Sequence, residues 1–374
     1  MRLREAQPSD LHSLNQFFHS FPTAGPLEIR QRRFKGFDQV YRAQGFKSRV
    51  FVFETESQQI EGVASFVICD CLLDHHIRRV AIARDLRIKP SRQAIVSWTS
   101  FFLPTLREIQ KEEKVDYFFA CISDYETGAL NSFVRSRALD KPIPRYSLFS
   151  KWNLVSLHGY WPFAKNPLPH LSFQSATEVG FDKVMEYYLR DRKTKDLNPL
   201  FNRASFMRLL RDWPNIQASD FVVLINRQRE IVGACCLWAP NGVVQYELTK
   251  LNGPSTNFSN LLHVLKTLGM ARPLSTFDSQ KREYLNFRQM GFIECQTPDV
   301  FETLIWHCYH NSPQREFLVY GHSQDNYALR PPNSCISGSW PFGIYTMIPP
   351  DEVLPGFLRP NHGRDVQFEP FFAL

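Results

Sequence analysis

Residues 78–102 read R-R-V-A-I-A-R-D-L-R-I-K-P-S-R-Q-A-I-V-S-W-T-S-F-F, and this stretch decides the fold. Its first half has the period of a strand. Val80, Ile82, Leu86 and Ile88 fall at even spacing on one face, with Ala81, Ala83, Asp85 and Arg87 on the other. The pattern breaks at Lys89-Pro90-Ser91 and restarts with helical spacing at Ile95, Trp98, Phe102, Leu106 and Ile109. A strand that feeds a helix through a short basic loop is a ready anion site, because the first amides of the helix have no partners within it.

On the N-terminal side, Leu3-Arg4-Glu5-Ala6 reads as a short strand, and Pro8-Ser9-Asp10 opens a helix carrying Leu11, Leu14, Phe17 and Phe18. Residues 27–41 read as a second, basic helical region. Residues 49–54 and 60–71 read as a hairpin across the polar turn 55–59. On the C-terminal side follow a strand over 115–122, a helical piece over 126–135 and a strand over 148–157. Prolines and aromatics then mark residues 161–171 as a linker between a domain of residues 1–160 and one of residues 172–374.

Beyond the linker the order repeats. A strand over 170–176 and helices over 181–190 and 202–213 precede a hairpin of 221–226 with 231–238. A strand over 243–251, a helix over 258–270 and a second helix over 282–290 follow, the last ending at Gly291-Phe292 as a glycine C-cap. Sequence likeness between the halves is not visible, so the duplication rests on element order. The end of the chain, which carries W-P-F-G-I-Y-T-M-I-P-P and F-E-P-F-F-A-L, reads as one or two strands and a proline- and aromatic-rich extension.

A chain of 374 residues with 43% hydrophobic and 22% charged residues suits two globular domains with cores of their own. The 32 phenylalanines point first to aromatic cores and second to apolar grooves. A net charge of +7 favours an anionic partner, yet no helix-turn-helix, zinc-finger or RNA-recognition signature is present. No apolar run is long enough to span a bilayer and no signal-peptide pattern opens the chain, so a cytoplasmic protein is expected. The eight cysteines sit mostly in strand-like stretches and read as reduced core thiols. The cluster Cys69-Asp70-Cys71 with Asp74-His75-His76 has metal-ligand chemistry, but without a second pair at finger spacing it reads as a strand end and turn, and no metal is expected.

Ile88-Lys89-Pro90 with Gln93 resembles the coenzyme A loop of the GNAT superfamily of N-acetyltransferases, in which a hydrophobic-x-Pro leads to Arg or Gln and then to two small residues. Those small positions fall on Val96 and Trp98. Residues 286–292, N-F-R-Q-M-G-F, resemble the family motif that closes with Gly-Phe, and residues 143–149, I-P-R-Y-S-L-F, resemble a group of bacterial tandem GNAT proteins of about this size.

The resemblance implies an α/β protein of two tandem GNAT-like domains side by side, each a mixed central sheet flanked by helices. It implies an N-acyltransferase that moves an acyl group from acyl-coenzyme A, acetyl-coenzyme A first, to an amine by direct attack. Leu86, Arg87, Ile88, Arg92, Gln93, Ala94 and Ile95 would then hold the cofactor. Asp85 is the candidate base of the first half, Glu247 is the carboxylate of the second, and Tyr125 is the candidate acid. The family's usual tyrosine falls on Phe287, which has no proton to donate. Two other readings stand beside this one: a non-catalytic GNAT-like module that binds a ligand or protein, and a transferase that takes its acyl group from aminoacyl-tRNA.

Overall fold

The computed structural model describes every residue except 24, 35, 43, 44, 46, 90, 135–142, 192–194, 361–364 and 370–374, and describes the backbone alone at 42, 92, 93, 132, 133 and 191. In the first half the elements are β1 (Arg2–Glu5), α1 (Leu11–His19), β2 (Leu27–Arg33), α2 (Gln39–Arg42), β3 (Lys47–Glu54) and β4 (Ile60–Leu73). They continue with β5 (His76–Ile88), α3 (Arg92–Glu113), β6 (Tyr117–Ser123), α4 (Thr127–Ala129) and β7 (Arg145–Tyr160). The second half opens with β8 (Ser172–Ser175), α5 (Ala176–Val179), α6 (Phe181–Asp191), α7 (Arg203–Asp212), β9 (Phe221–Ile225) and β10 (Ile231–Trp238). Then come β11 (Val244–Leu251), α8 (Pro254–Thr267), β12 (Ser275–Phe277), β13 (Glu283–Leu285) and β14 (Phe287–Cys295). The last are α9 (Pro298–Asn311), β15 (Phe317–Ser323) and β16 (Cys335–Ile348).

Twelve strands form one continuous sheet in the order β1-β3-β4-β5-β6-β16-β7-β15-β14-β10-β9-β8. Each half contributes a strand, a hairpin and then a parallel pair joined through a helix: β5 with β6 through α3, and β14 with β15 through α9. The two halves then exchange their final strands. β16 of the second half pairs with β6 of the first, and β7 of the first half pairs with β15 of the second. β7 and β16 pair with each other at the centre. The halves thus share their middle strands as well as lying side by side. A smaller sheet, β12-β13-β11-β2, crosses between the halves, because β2 of the first pairs with β11 of the second.

Two helices expected from sequence are strands. Residues 27–33 form β2: Ile29, Gln31 and Arg33 point inward, and two polar inward positions hide the apolar alternation that marks a half-buried strand. Residues 282–290 are divided between β13 in the small sheet and β14 in the large one, with the chain passing from one to the other at Asn286. That passage shifts the inward phase and leaves Tyr284, Leu285, Phe287 and Met290 at a spacing that imitates a helix.

The helix α3 forms as its sequence indicates. The Ser91 side chain accepts the Ala94 N–H at the N-cap, and Lys114 closes the C-terminus in the left-handed conformation, φ 54°. Ala94, Trp98, Phe102, Leu106 and Ile109 are buried against Phe53, Phe66 and Phe118 of the sheet. The Trp98 and Phe102 ring centroids lie 5.1 Å apart. Burial of each large side chain on this stripe contributes about 1.5–3 kcal/mol.

Candidate active site

β5 carries a bulge. Val63 of β4 faces Arg87, and Ser65 faces Arg84, so that Asp85 and Leu86 together oppose Ala64. Asp85 adopts the left-handed conformation, φ 49°, and has no partner residue across the ladder. The extra residue reverses the faces of the strand: Val80 and Ile82 belong to the core on the β2 side, whereas Leu86 and Ile88 pack with Ala81 and Ala83 on the α3 side. The single face expected for Val80, Ile82, Leu86 and Ile88 is therefore two faces.

Parallel pairing of β5 with β6 ends at Ala83 and Ala120. Beyond the bulge the two strands separate, and a cleft of about 650 Å³ opens between them. Leu86, Ile88, Ile95, Trp98, Thr99, Phe102 and Ile122 line its α3 side. Phe21, Thr23, Ile29, Gln31, Tyr246, Trp340 and Phe342 line the other, with Arg84, Asp85, Arg87, Cys121 and Glu126 between. This is a largely apolar groove with few polar groups, the usual character of a small-molecule site.

A buried network fixes the bulge. The Asp85 carboxylate accepts from Arg33 Nη2 at 2.5 Å and from the Tyr41 hydroxyl, and Arg87 Nη2 stands 3.9 Å from its other oxygen. Arg33 also donates to Tyr41 Oη at 2.6 Å and to Gln31 Oε1 at 3.0 Å, and Ser65 Oγ donates to Tyr41 Oη at 2.9 Å. The Arg33 guanidinium lies 4.5 Å from the Phe37 ring centroid and 4.9 Å from that of Phe18. Burial alone would favour a neutral Asp85. The Arg33 charge, with Arg87, Arg84 and the Tyr41 hydroxyl, outweighs it and holds the carboxyl well below the usual carboxylate range.

The residues singled out from sequence are dispersed. Asp85, Leu86, Arg87, Ile88 and Ile95 line the cleft. The backbone donors of Ala94 and Ile95, two of the residues assigned to the cofactor, are taken: Ala94 N–H bonds Ser91 Oγ at 3.1 Å and Ile95 N–H bonds the Ser91 carbonyl at 3.0 Å. Arg92 and Gln93 occupy the first two helical positions, whose amides have no carbonyl four residues earlier within the helix. Pro90 lies outside the described residues, as do the side chains of Arg92 and Gln93. Tyr125 is exposed beside the cleft, with its ring edge-on to Trp340 at 6.0 Å.

Glu247 does not join the site. It lies across from Arg30 of β2 and Tyr284 of β13, and strand alternation turns it away from the cleft that its neighbour Tyr246 lines. Phe287 is buried between Tyr246 and Phe317, at 5.5 Å from each ring. Cys69 and Cys71 are buried on β4, and burial pushes the Cys69 thiol up to about 12.

Several lining groups had no local signal in the sequence. Tyr246 and Trp340 come from the second half through β11 and β16. Burial pushes the Tyr246 hydroxyl up to about 12, so it carries its proton at neutral pH. Glu126 lies three residues beyond the end of β6 and lines the same groove.

This topology has solved counterparts. A GCN5-related glucosamine N-acetyltransferase region of a fungal multi-domain GH3 β-N-acetylglucosaminidase superposes on 93% of the chain with TM-score 0.56 at 11% identity, using 38% of its own length. Saccharomyces cerevisiae N-myristoyltransferase with bound myristoyl-CoA superposes on 93% of the chain and 78% of its own with TM-score 0.54 at 8% identity. At such identities the likeness is one of fold. No protein-family model matches the sequence, and no curated protein matches it significantly. The chain is an α/β protein of the GCN5-related N-acetyltransferase (GNAT) fold. Its order of strands and connecting helix repeats in the two halves, with the final strands exchanged between them. Among the described residues no helix is long and apolar enough to cross a membrane.

Proposed function

We propose that the chain is an acyl-coenzyme A-dependent N-acyltransferase whose reaction takes place in the first-half cleft. The observation that carries this reading is the bulge at Asp85, which separates β5 from β6 and leaves an extended groove ending at the N-terminus of α3. The open edges of β5 and β6 offer backbone groups to an extended pantetheine arm. The first amides of α3, at Arg92 and Gln93, which have no acceptor within the helix, suit the phosphates.

In this reading the thioester oxygen accepts from the Asp85 N–H, which the bulge takes out of ladder register. The amine nitrogen attacks the carbonyl carbon, the carbon–sulfur bond breaks, and the thiolate takes a proton from Tyr246. Before attack the Glu126 carboxylate takes one proton from the substrate ammonium and later releases it to solvent; the proton that the nitrogen sheds on acylation returns to the Tyr246 oxygen. Asp85, expected as the base, instead holds the bulge: a carboxylate bound to Arg33 and Tyr41 is poorly placed to accept another proton. The aromatic wall of Phe21, Tyr246, Trp340 and Phe342 favours an amine carried on an apolar or aromatic body.

Release of free coenzyme A thiol, measured with acetyl- and longer acyl-coenzyme A against a panel of aromatic and aliphatic amines, tests the proposal. Amine-dependent thiol release is expected. Its absence with every donor would overturn the reading, and transfer from charged tRNA in its place would support the aminoacyl-tRNA version.

A further inference from the structure

The second half repeats the bulge and fills it. Ala234 of β10 faces Glu294 and Cys236 faces Gly291, so Phe292 and Ile293 together oppose Cys235. Phe292 adopts the left-handed conformation, φ 52°, as Asp85 does at the matching position. Its N–H donates to Glu369 Oε2 at 2.7 Å in a buried contact. The bulge amide that takes the thioester oxygen in the proposed first-half reaction is matched, in the second half, by one occupied by a carboxylate of the same chain.

The segment that brings Glu369 is anchored along its length. Asp196 N–H donates to the Asp365 carbonyl and Gln367 N–H to the Asp196 carbonyl, both at 2.9 Å. Gln367 Nε2 donates to Glu369 Oε1 at 2.7 Å. Phe368 is buried edge-on to Trp152 at 5.7 Å. Trp152 in turn covers Gly321, the first residue of β15 past the last β14–β15 pair, where an added Cβ would stand 1.5 Å from the indole. Helix α9, which follows the bulged strand β14, is also unsuited to phosphate: the N-cap Thr297 takes the Val300 N–H, Pro298 has no N–H, and Asp299 adds a negative charge to the first turn.

We propose that the second-half bulge is a binding site for the chain's own residues 365–369, with Glu369 as a built-in oxygen ligand of the Phe292 amide, so that each chain binds one acyl-coenzyme A rather than two. The statement about donor number rests on the acyltransferase reading; the statement about Glu369 does not.

Two measurements on the full chain test it. Calorimetric titration with acetyl-coenzyme A is expected to give one donor per chain, and two would overturn the proposal. A result of zero would overturn the acyltransferase reading and leave the second measurement to decide this one. That measurement is amide hydrogen exchange at Phe292. Exchange is expected to be slow in the unmodified chain and in Glu369→Gln, which keeps an oxygen acceptor, and faster by about tenfold or more in Glu369→Ala, with residues 287–290 unchanged. Equal rates in Glu369→Ala and the unmodified chain would overturn the proposal. Should Glu369→Ala not fold, fast Phe292 exchange in the unmodified chain or in Glu369→Gln would overturn it equally.

Discussion

Replacing Arg33 by Met removes the main counter-charge of a carboxylate whose side chain is only 4% exposed. Breaking one partner of a buried ion pair costs about 3–5 kcal/mol, because the other is left uncompensated. Asp85→Asn breaks the same pair from the other side and keeps a group that can bond Tyr41. If the two side chains act as a unit, the double variant Arg33→Met/Asp85→Asn should cost less than the sum of the singles by about 2 kcal/mol or more. Urea unfolding followed by tryptophan fluorescence reads all four corners of the cycle. The pH dependence sharpens the test. With Arg33 present, the Asp85 carboxyl is depressed, so its contribution to stability is present above the ordinary carboxylate range and lost as pH falls through it. In Arg33→Met burial dominates, the carboxyl rises, and stability should instead fall as pH rises through the acid range. The functional companion is a rise in KM for acyl-coenzyme A, since the bulge amide loses its support. Additive costs, or an unchanged acid slope in Arg33→Met, would refute the reasoning.

Other outcomes follow from single contacts. His158 is fully buried, its ring stacked on Phe317 at 4.4 Å, with no partner for either ring nitrogen among the described residues, and burial pushes it down to about 3. Its neutral form therefore contributes stability above its ordinary value of 6.5 that is lost as pH falls toward 3; at pH 5 the loss is about 2 kcal/mol. His158→Phe should remove that part of the acid sensitivity in pH-dependent unfolding. Tyr246→Phe should lower kcat by about a hundredfold with KM for the donor nearly unchanged, as removal of a proton donor predicts. Gly321→Ala should destabilise by about 1–3 kcal/mol in thermal unfolding, because the added methyl would stand 1.5 Å from the fully buried Trp152 ring and force it to shift.

The strand–loop–helix of residues 78–102 was legible because its signals are local: period, breaker, cap and apolar stripe. The bulge inside it was not, since nothing in Arg84-Asp85-Leu86 announces that one extra residue will oppose Ala64. β2 does not read as a strand because Gln31 and Arg33, polar by type, occupy inward positions, where Arg33 donates to Asp85, Tyr41 and Gln31. Residues 282–290 have helical spacing because the chain changes sheets at Asn286, and Gly291-Phe292, which resembles a helix end, enters the second bulge. Strand exchange and the lining by Tyr246, Trp340 and Phe342 depend on pairings between residues far apart in the chain, which no window of sequence contains.

In the proposed reaction the groove between β5 and β6 holds an acyl-coenzyme A. Thr99, on the cleft face of α3 and only partly buried, can be enlarged to Trp to fill the groove without entering the core. Equilibrium titration of acetyl-coenzyme A into the unmodified chain and into Thr99→Trp is the direct measurement. Saturable binding in the first, weakened about tenfold or more in the second with thermal stability retained, is the predicted result. No binding at about 1 mM ligand, or equal affinity for both proteins, would contradict it.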